Sequence, residues 1–224
     1  MKKSICLLLF SLLCVQGYAQ LDSGIIHTTI TTKRADGVIL ATTDLDTWYK
    51  YNQLKIITRT EMSQSAIYID RVKRQITNIT EIMGKKLGFY MSTDNPGQKE
   101  SDSVHIAYED TTRYINGFRC NKATITYPAG REQLSDIIVW YCPDYKFKDS
   151  TMGVSIPGVE RLRGFPILFD AVVPQGMMVT YVVDNINVST PITDEEFRIP
   201  GGYEITSQEE YGKKLRELVS GTKE

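Results

Sequence analysis

Alternation of apolar and polar residues, interrupted at short intervals by turn-forming residues, runs through nearly the whole sequence, and it leaves few choices of fold. Side chains in an extended strand point to opposite faces in turn, so this pattern builds a sheet with one greasy side. In Leu87, Phe89 and Met91 the apolar residues share a face, as they do in Ile167, Phe169 and Ala171 and in Met177, Val179, Tyr181 and Val183. Strands are expected near 24–33, 47–59, 65–70, 73–82, 85–92, 103–109, 117–127, 134–142, 165–173, 177–185 and 197–205. The separators are polar or carry Gly and Pro: "ADGV" (35–38), "TDNPGQKESD" (93–102), "YPAGREQ" (127–133) and "VPQG" (173–176). The segment 142–164 is long and irregular for a compact domain and reads as a loop or lid. One helix is expected, at the C-terminus. Ser207 with Glu210 forms a capping box, Tyr211, Leu215, Leu218 and Val219 share a face, and Gly221 ends it. Glu209–Lys213 and Glu210–Lys214 are spaced to pair on the opposite side. The fold class is mainly β, with a C-terminal helix.

The N-terminus places the protein. "MKKSICLLLFSLLCVQGYAQ" has Lys2 and Lys3, an apolar run from Ile5 to Val15, then Gly17 and Ala19. This is the layout of a signal peptide, with cleavage expected after Ala19. Residues 1–19 are therefore read as the signal and 20–224 as a single domain, which is exported to the periplasm or cell envelope. Losing two lysines takes the formal charge from −1 to −3, and no basic stripe remains, so nucleic acid is not an expected partner. The mature sequence has no apolar stretch long enough for a transmembrane segment.

Cleavage also removes Cys6 and Cys14, leaving Cys120 and Cys142. In an oxidising compartment such a pair is read as a disulfide. The hairpin register supports this. If 119–127 pairs with 134–142 about a loop centred near 131, opposite residues have numbers summing to about 262, and 120 plus 142 is 262. Opposite Cα atoms lie about 4.5–5.5 Å apart, within disulfide range. The same register sets Ala123 against Val139, Ile125 against Ile137 and Asn121 against Tyr141, and that face is expected to look inward.

Catalytic signals are weak. His27 and His105 lie far apart and outside any metal-ligand spacing, and no nucleophile elbow or phosphate loop occurs. No catalytic residue, metal or cofactor is expected, and the protein is read as a non-enzyme. The apolar inner face has two readings, a filled core or an adaptable ligand lining.

Several stretches resemble a known group of exported bacterial proteins. "WYKYNQLKIIT" (48–58) followed by "AIYIDRVKRQITNI" (66–79) resembles their opening strands. "INGFRCNKA" (115–123) with "VWYCPDY" (139–145) is similar to the middle of the GLPGLI family and its relatives. "FRIPGGYEI" (197–205) resembles an ending common in proteins of the LolA-like, lipoprotein-carrier-like fold. The eponymous Gly-Leu-Pro-Gly-Leu-Ile stretch is absent, and "SIPGVERLRGFPILFD" (155–170) stands in its place. The resemblance implies a strongly curved antiparallel sheet, an unclosed barrel around apolar space, plugged by helix and loops.

The expected function is accordingly an exported binding protein holding an apolar ligand, a lipid or a lipid-modified (lipoprotein) partner against the concave face. Ile137, Val139, Tyr141, Phe169, Val179 and Tyr181 are the expected ligand-binding residues, with 143–164 as a gate. The alternative is a structural or protein-interaction module of the envelope, with an envelope protein as partner and a filled core.

Overall fold

The computed structural model describes residues 20–60, 63–92, 104–128, 136–147, 156–173 and 176–220. The signal segment, the 129–135 tip and Gly221 lie outside them. Fourteen strands run in order: β1 (Gln20–Leu21), β2 (Ser23–Lys33), β3 (Ile39–Lys50), β4 (Gln53–Arg59), β5 (Ser63–Asp70), β6 (Gln75–Ile82), β7 (Lys85–Ser92), β8 (His105–Ile115), β9 (Phe118–Thr126), β10 (Ile137–Cys142), β11 (Lys146–Phe147), β12 (Phe165–Val173), β13 (Met177–Asn187) and β14 (Glu204–Thr206). Helix α1 (Gln208–Ser220) follows.

Twelve of the strands form one sheet in the order β14-β7-β6-β5-β4-β3-β2-β13-β12-β10-β9-β8, which does not close on itself. All its pairings are antiparallel except that of β14 with β7. Strong curvature is visible at the β8–β9 turn. There the Asn116 side-chain amide donates to the Val183 carbonyl at 3.0 Å, although β9, β10 and β12 lie between β8 and β13 in the sheet. A β-bulge between Val183 and Asn185 marks the same place, and bulges bend a strand.

Local chemistry explains most of the turns. Met83-Gly84 and Asn116-Gly117 both have positive φ at each position, the tight two-residue hairpin turn that matches strand twist. Tyr51-Asn52 makes a third two-residue connection, with Tyr51 at φ 51° and no glycine to signal it. For that reason the expected single strand over 47–59 is in fact two, β3 and β4, and β3 begins earlier, at Ile39. β8 runs on to Ile115, past the expected end at 109, across a bulge between Glu109 and Thr112. The expected strand at 197–205 shrinks to β14, and a short 3-10 turn at Asp194–Phe197 precedes it.

The hairpin register is as expected: Ile137 pairs with Ile125, Val139 with Ala123 and Tyr141 with Asn121. All six are on the buried, inner side except Asn121, which is half-buried. α1 starts where Ser207 predicts, with the Glu210 backbone N–H donating to Ser207 Oγ at 3.1 Å. Lys214 pairs with Glu210 at 3.2 Å and also with Glu204, whereas Lys213 turns to Glu217.

Candidate functional site

The inner face can be traced strand by strand. Ile186, Ile26, Thr47, Ile56, Ile67, Asn78 and Phe89 form one continuous row across β13, β2, β3, β4, β5, β6 and β7. Beside it runs a row that includes Leu45, Thr58, Ser65, Thr80 and Leu87. Two elements land on this face from opposite ends.

At the β7 end α1 lies across it. The Tyr211 ring meets Phe89 at 4.7 Å, and its hydroxyl bonds Thr80 Oγ1 at 2.6 Å. At the β8–β13 end the segment 156–164 is packed against the sheet, with a 3-10 turn at Val159–Arg161. Val159 and Leu162 are buried in the same core as Ile125, Ile137 and Phe169. Gly158, at φ 96°, sits so close that an added Cβ would meet Val104 at 2.7 Å and Ile125 at 3.0 Å. Tyr127 donates to the Pro157 carbonyl at 2.8 Å, and Arg161 to that of Val104 at 3.0 Å, pinning the segment down. This part of the expected gate is thus a plug, because its apolar residues have a well-matched place to bury; residues 148–155 lie outside the described residues.

The plug decides the fate of the expected ligand residues. Ile137, Val139, Tyr141, Phe169 and Tyr181 are all on the inner face, and all are packed into the same core as Val159 and Leu162. Phe169 and Tyr181 stack at 4.7 Å and an angle of 13°. Only Val179 is half-buried. The same core continues across the other strands of this face, through Ile26, Tyr49, Leu54 and Ile56, with Ile30, Leu45, Ile67 and Ile69 packed against it. There Ile30, Leu45, Ile67, Ile69, Ile76 and Met91 are half-buried. Asn78 Oδ1 on the same face is buried with no donor to it among the described residues. Their alternation along β5 ("AIYID") was readable, but their openness was not.

The expected Cys120–Cys142 disulfide is not present: both are fully buried free thiols at the end of the β9–β10 ladder. Burial pushes the Cys120 thiol up to about 12, with the neighbouring Cys142 adding to it. Cys142 is raised too, again chiefly by burial. In that state neither is a ready nucleophile.

On the outer face His27 Nδ1 lies 2.5 Å from Asp46 Oδ1, and Arg59 Nη1 bonds the other carboxylate oxygen. Among the described residues His27 bonds only Asp46, so no nucleophile completes a catalytic relay there. Burial alone would raise the Asp46 pKa, but the bonds and charges of Arg59 and His27 outweigh it and hold the carboxyl below its usual range. A depressed folded pKa means stability that is present above the ordinary carboxylate pKa and lost as pH falls through the folded value. Asp46→Asn is therefore expected to be less stable at neutral pH and to lose less stability on acidification than the native protein. Urea midpoints measured between pH 6 and pH 3 check this, and parallel curves would refute it.

No family model and no curated protein matches the chain, so membership of the GLPGLI family is not shown. Among solved structures it is similar to PNGF-II, at 11% identity and a TM-score of 0.47, covering 87% of this chain and 33% of that one. The chain thus spans about a third of the PNGF-II chain. It is also similar to a DUF1329 family protein from Desulfovibrio piger, at 13% identity and a TM-score of 0.40, over 81% of this chain and 91% of that one. A third is the LolA superfamily protein NE2245 from Nitrosomonas europaea, at 11% identity and a TM-score of 0.38, over 80% and 91%. Among the described residues no helix is long and apolar enough to cross a membrane.

Proposed function

We propose that this is an exported, non-enzymatic binding protein that holds an acyl chain, from a lipid or a lipid-modified partner, on its concave face. One observation carries the reading. Ile30, Leu45, Ile67, Ile69, Ile76 and Met91 are only half-buried on the inside of a curved sheet, the first four at the edge of its core. An inward strip of this kind is the geometry in which an apolar chain gains most from leaving water. Each buried methylene contributes about 0.8 kcal/mol. About a dozen are then needed to offset an association cost that runs from several kcal/mol upward. The basic start and apolar run of residues 2–15 support export.

The ligand residues in this reading shift from those under the plug to the strip, with Val179 at its border. A gently purified sample should carry a lipid adduct in native mass spectrometry, and delipidated protein should take up a fluorescent fatty acid. Ile67→Glu should abolish uptake while leaving the fold intact. A clean apo mass with no uptake defeats the proposal.

The second reading, a structural or protein-interaction module of the envelope, has its own support. Five of the six residues first expected to touch ligand are packed as core. It predicts no uptake by any variant.

A further inference from the structure

The outer face holds a smaller apolar cluster of Ile57, Ala66, Tyr68 and Ile79, with Trp48, Tyr203 and Ile205 packed on it. The chain between β13 and β14 crosses this face. Its 3-10 turn is tied down by Lys50 Nζ, 2.6 Å from Asp194 Oδ1. Register places Trp48, Lys55 and Tyr68 side by side on β3, β4 and β5. Lys55 Nζ stands 5.2 Å from the Trp48 ring centre and 5.9 Å from that of Tyr68.

Its side chain is only 14% exposed. Among the described residues its one carboxylate neighbour is Glu196, whose Oε2 is 3.8 Å away, beyond hydrogen-bond length. Trp48 Nε1, on the ring that Lys55 overlies, is buried with no acceptor among the described residues. A charged donor whose acceptor is distant thus stands over the ring of an indole N–H that has none among the described residues. A buried donor left unpaired bears its full desolvation cost, so such a pair calls for an oxygen-bearing anion. Burial lowers the Lys55 pKa, opposed by Glu196, as expected for an ammonium short of partners.

We propose that Lys55 and the Trp48 indole N–H bind a small carboxylate, which replaces the distant Glu196 as partner of the ammonium. The chemistry favours a monoanion. Lys55 is the cation at the rings, with Arg59 near enough to depress its pKa, and Glu196 and Asp194 in the adjoining turn would repel the higher charge of a phosphate. Glu196 has its side chain 42% exposed and is free to swing outward. The site is independent of the concave face, and its failure would leave the acyl-chain reading untouched.

The sequence has two tryptophans, so Trp140→Phe leaves Trp48 as the sole indole N–H reporter. In that background, sodium acetate titrated against matched sodium chloride should shift the 15N-detected Trp48 indole resonance saturably. Lys55→Met should abolish the shift, with the remaining amide resonances reporting that it folds. Glu196→Gln should move the titration to lower acetate by removing the competing carboxylate. A shift that chloride reproduces, one that persists in Lys55→Met, or a titration unchanged in Glu196→Gln would overturn the proposal. The last variant substitutes a partly exposed residue and carries the test even if Lys55→Met does not fold.

Discussion

Phe169→Ala is expected to cost about 3–5 kcal/mol of folding stability, read as a fall in the urea midpoint with an unchanged slope. Phe169 is 2% exposed, lies opposite Val139 on β10 and Tyr181 on β13, and stacks on the latter. Truncation loses the transfer energy of the ring and leaves a cavity lined by Val139, Ile167 and Tyr181, residues held in place by the plug. With total stabilities of about 5–15 kcal/mol, such a loss brings a domain close to unfolding. The result also discriminates between the two uses of the inner face. Were this half a hollow pocket, the ring would border empty space and its removal would cost little. Ile67→Ala, on the half-buried strip, is expected to cost only about 1–2 kcal/mol, because less surface returns to water. Equal costs at the two sites would remove the distinction between a filled half and an open half.

The second large effect belongs to the two thiols. Oxidising Cys120 and Cys142 is expected to raise stability by about 3 kcal/mol relative to the reduced protein, from closing a loop of this size in the unfolded chain. The step needs a disulfide-bearing oxidant such as oxidised glutathione: the protein pair gives up two electrons and two protons, a protein S–S bond forms, and the oxidant leaves as two thiols. Tyr141 opposite Asn121 is the last ladder pair observed, and one step further along the same register sets the two cysteines face to face. Their burial, which raises both thiol pKa values, makes the native pair slow to react, so oxidation is expected to be fast during folding and slow afterwards. Thiol titration after denaturation measures the outcome directly. Two reactive thiols in protein refolded with the oxidant, or an oxidised protein no more stable than the reduced one, would end the assignment. Cys120→Ala/Cys142→Ala should show no response to oxidant.

The turn chemistry shows where reading from residues reaches its limit. Asn116-Gly117 and Met83-Gly84 carry glycine where positive φ is required and so announce their hairpins. Tyr51-Asn52 makes the same kind of two-residue turn without glycine, and the apolar alternation runs on through it, so β3 and β4 merged into one expected strand. The C-terminal helix was legible because its cap and its stripe are local: Ser207 meets the backbone N–H of Glu210 three residues on. The site was legible by face but not by place. Val139 and Tyr181 lie on the inner side that their alternation predicts, and nothing in their own strands says that Val159 and Leu162 would join them in one core.

The residues alone settle the alternation, the one-sided character of the strands and the pairing of β9 with β10. These depend on neighbours a few positions apart, or on a loop short enough to fix the register. Only the folded chain decides which inner-face residues are fully buried and which stay half-buried. It also decides that Lys55 lies near two rings with Glu196 beyond hydrogen-bond length. Both depend on how far the sheet curls, and on where segments from distant parts of the chain, 156–164, 194–203 and α1, come to rest against it. That landing is set by the summed shape of twelve paired strands, which no local pattern encodes.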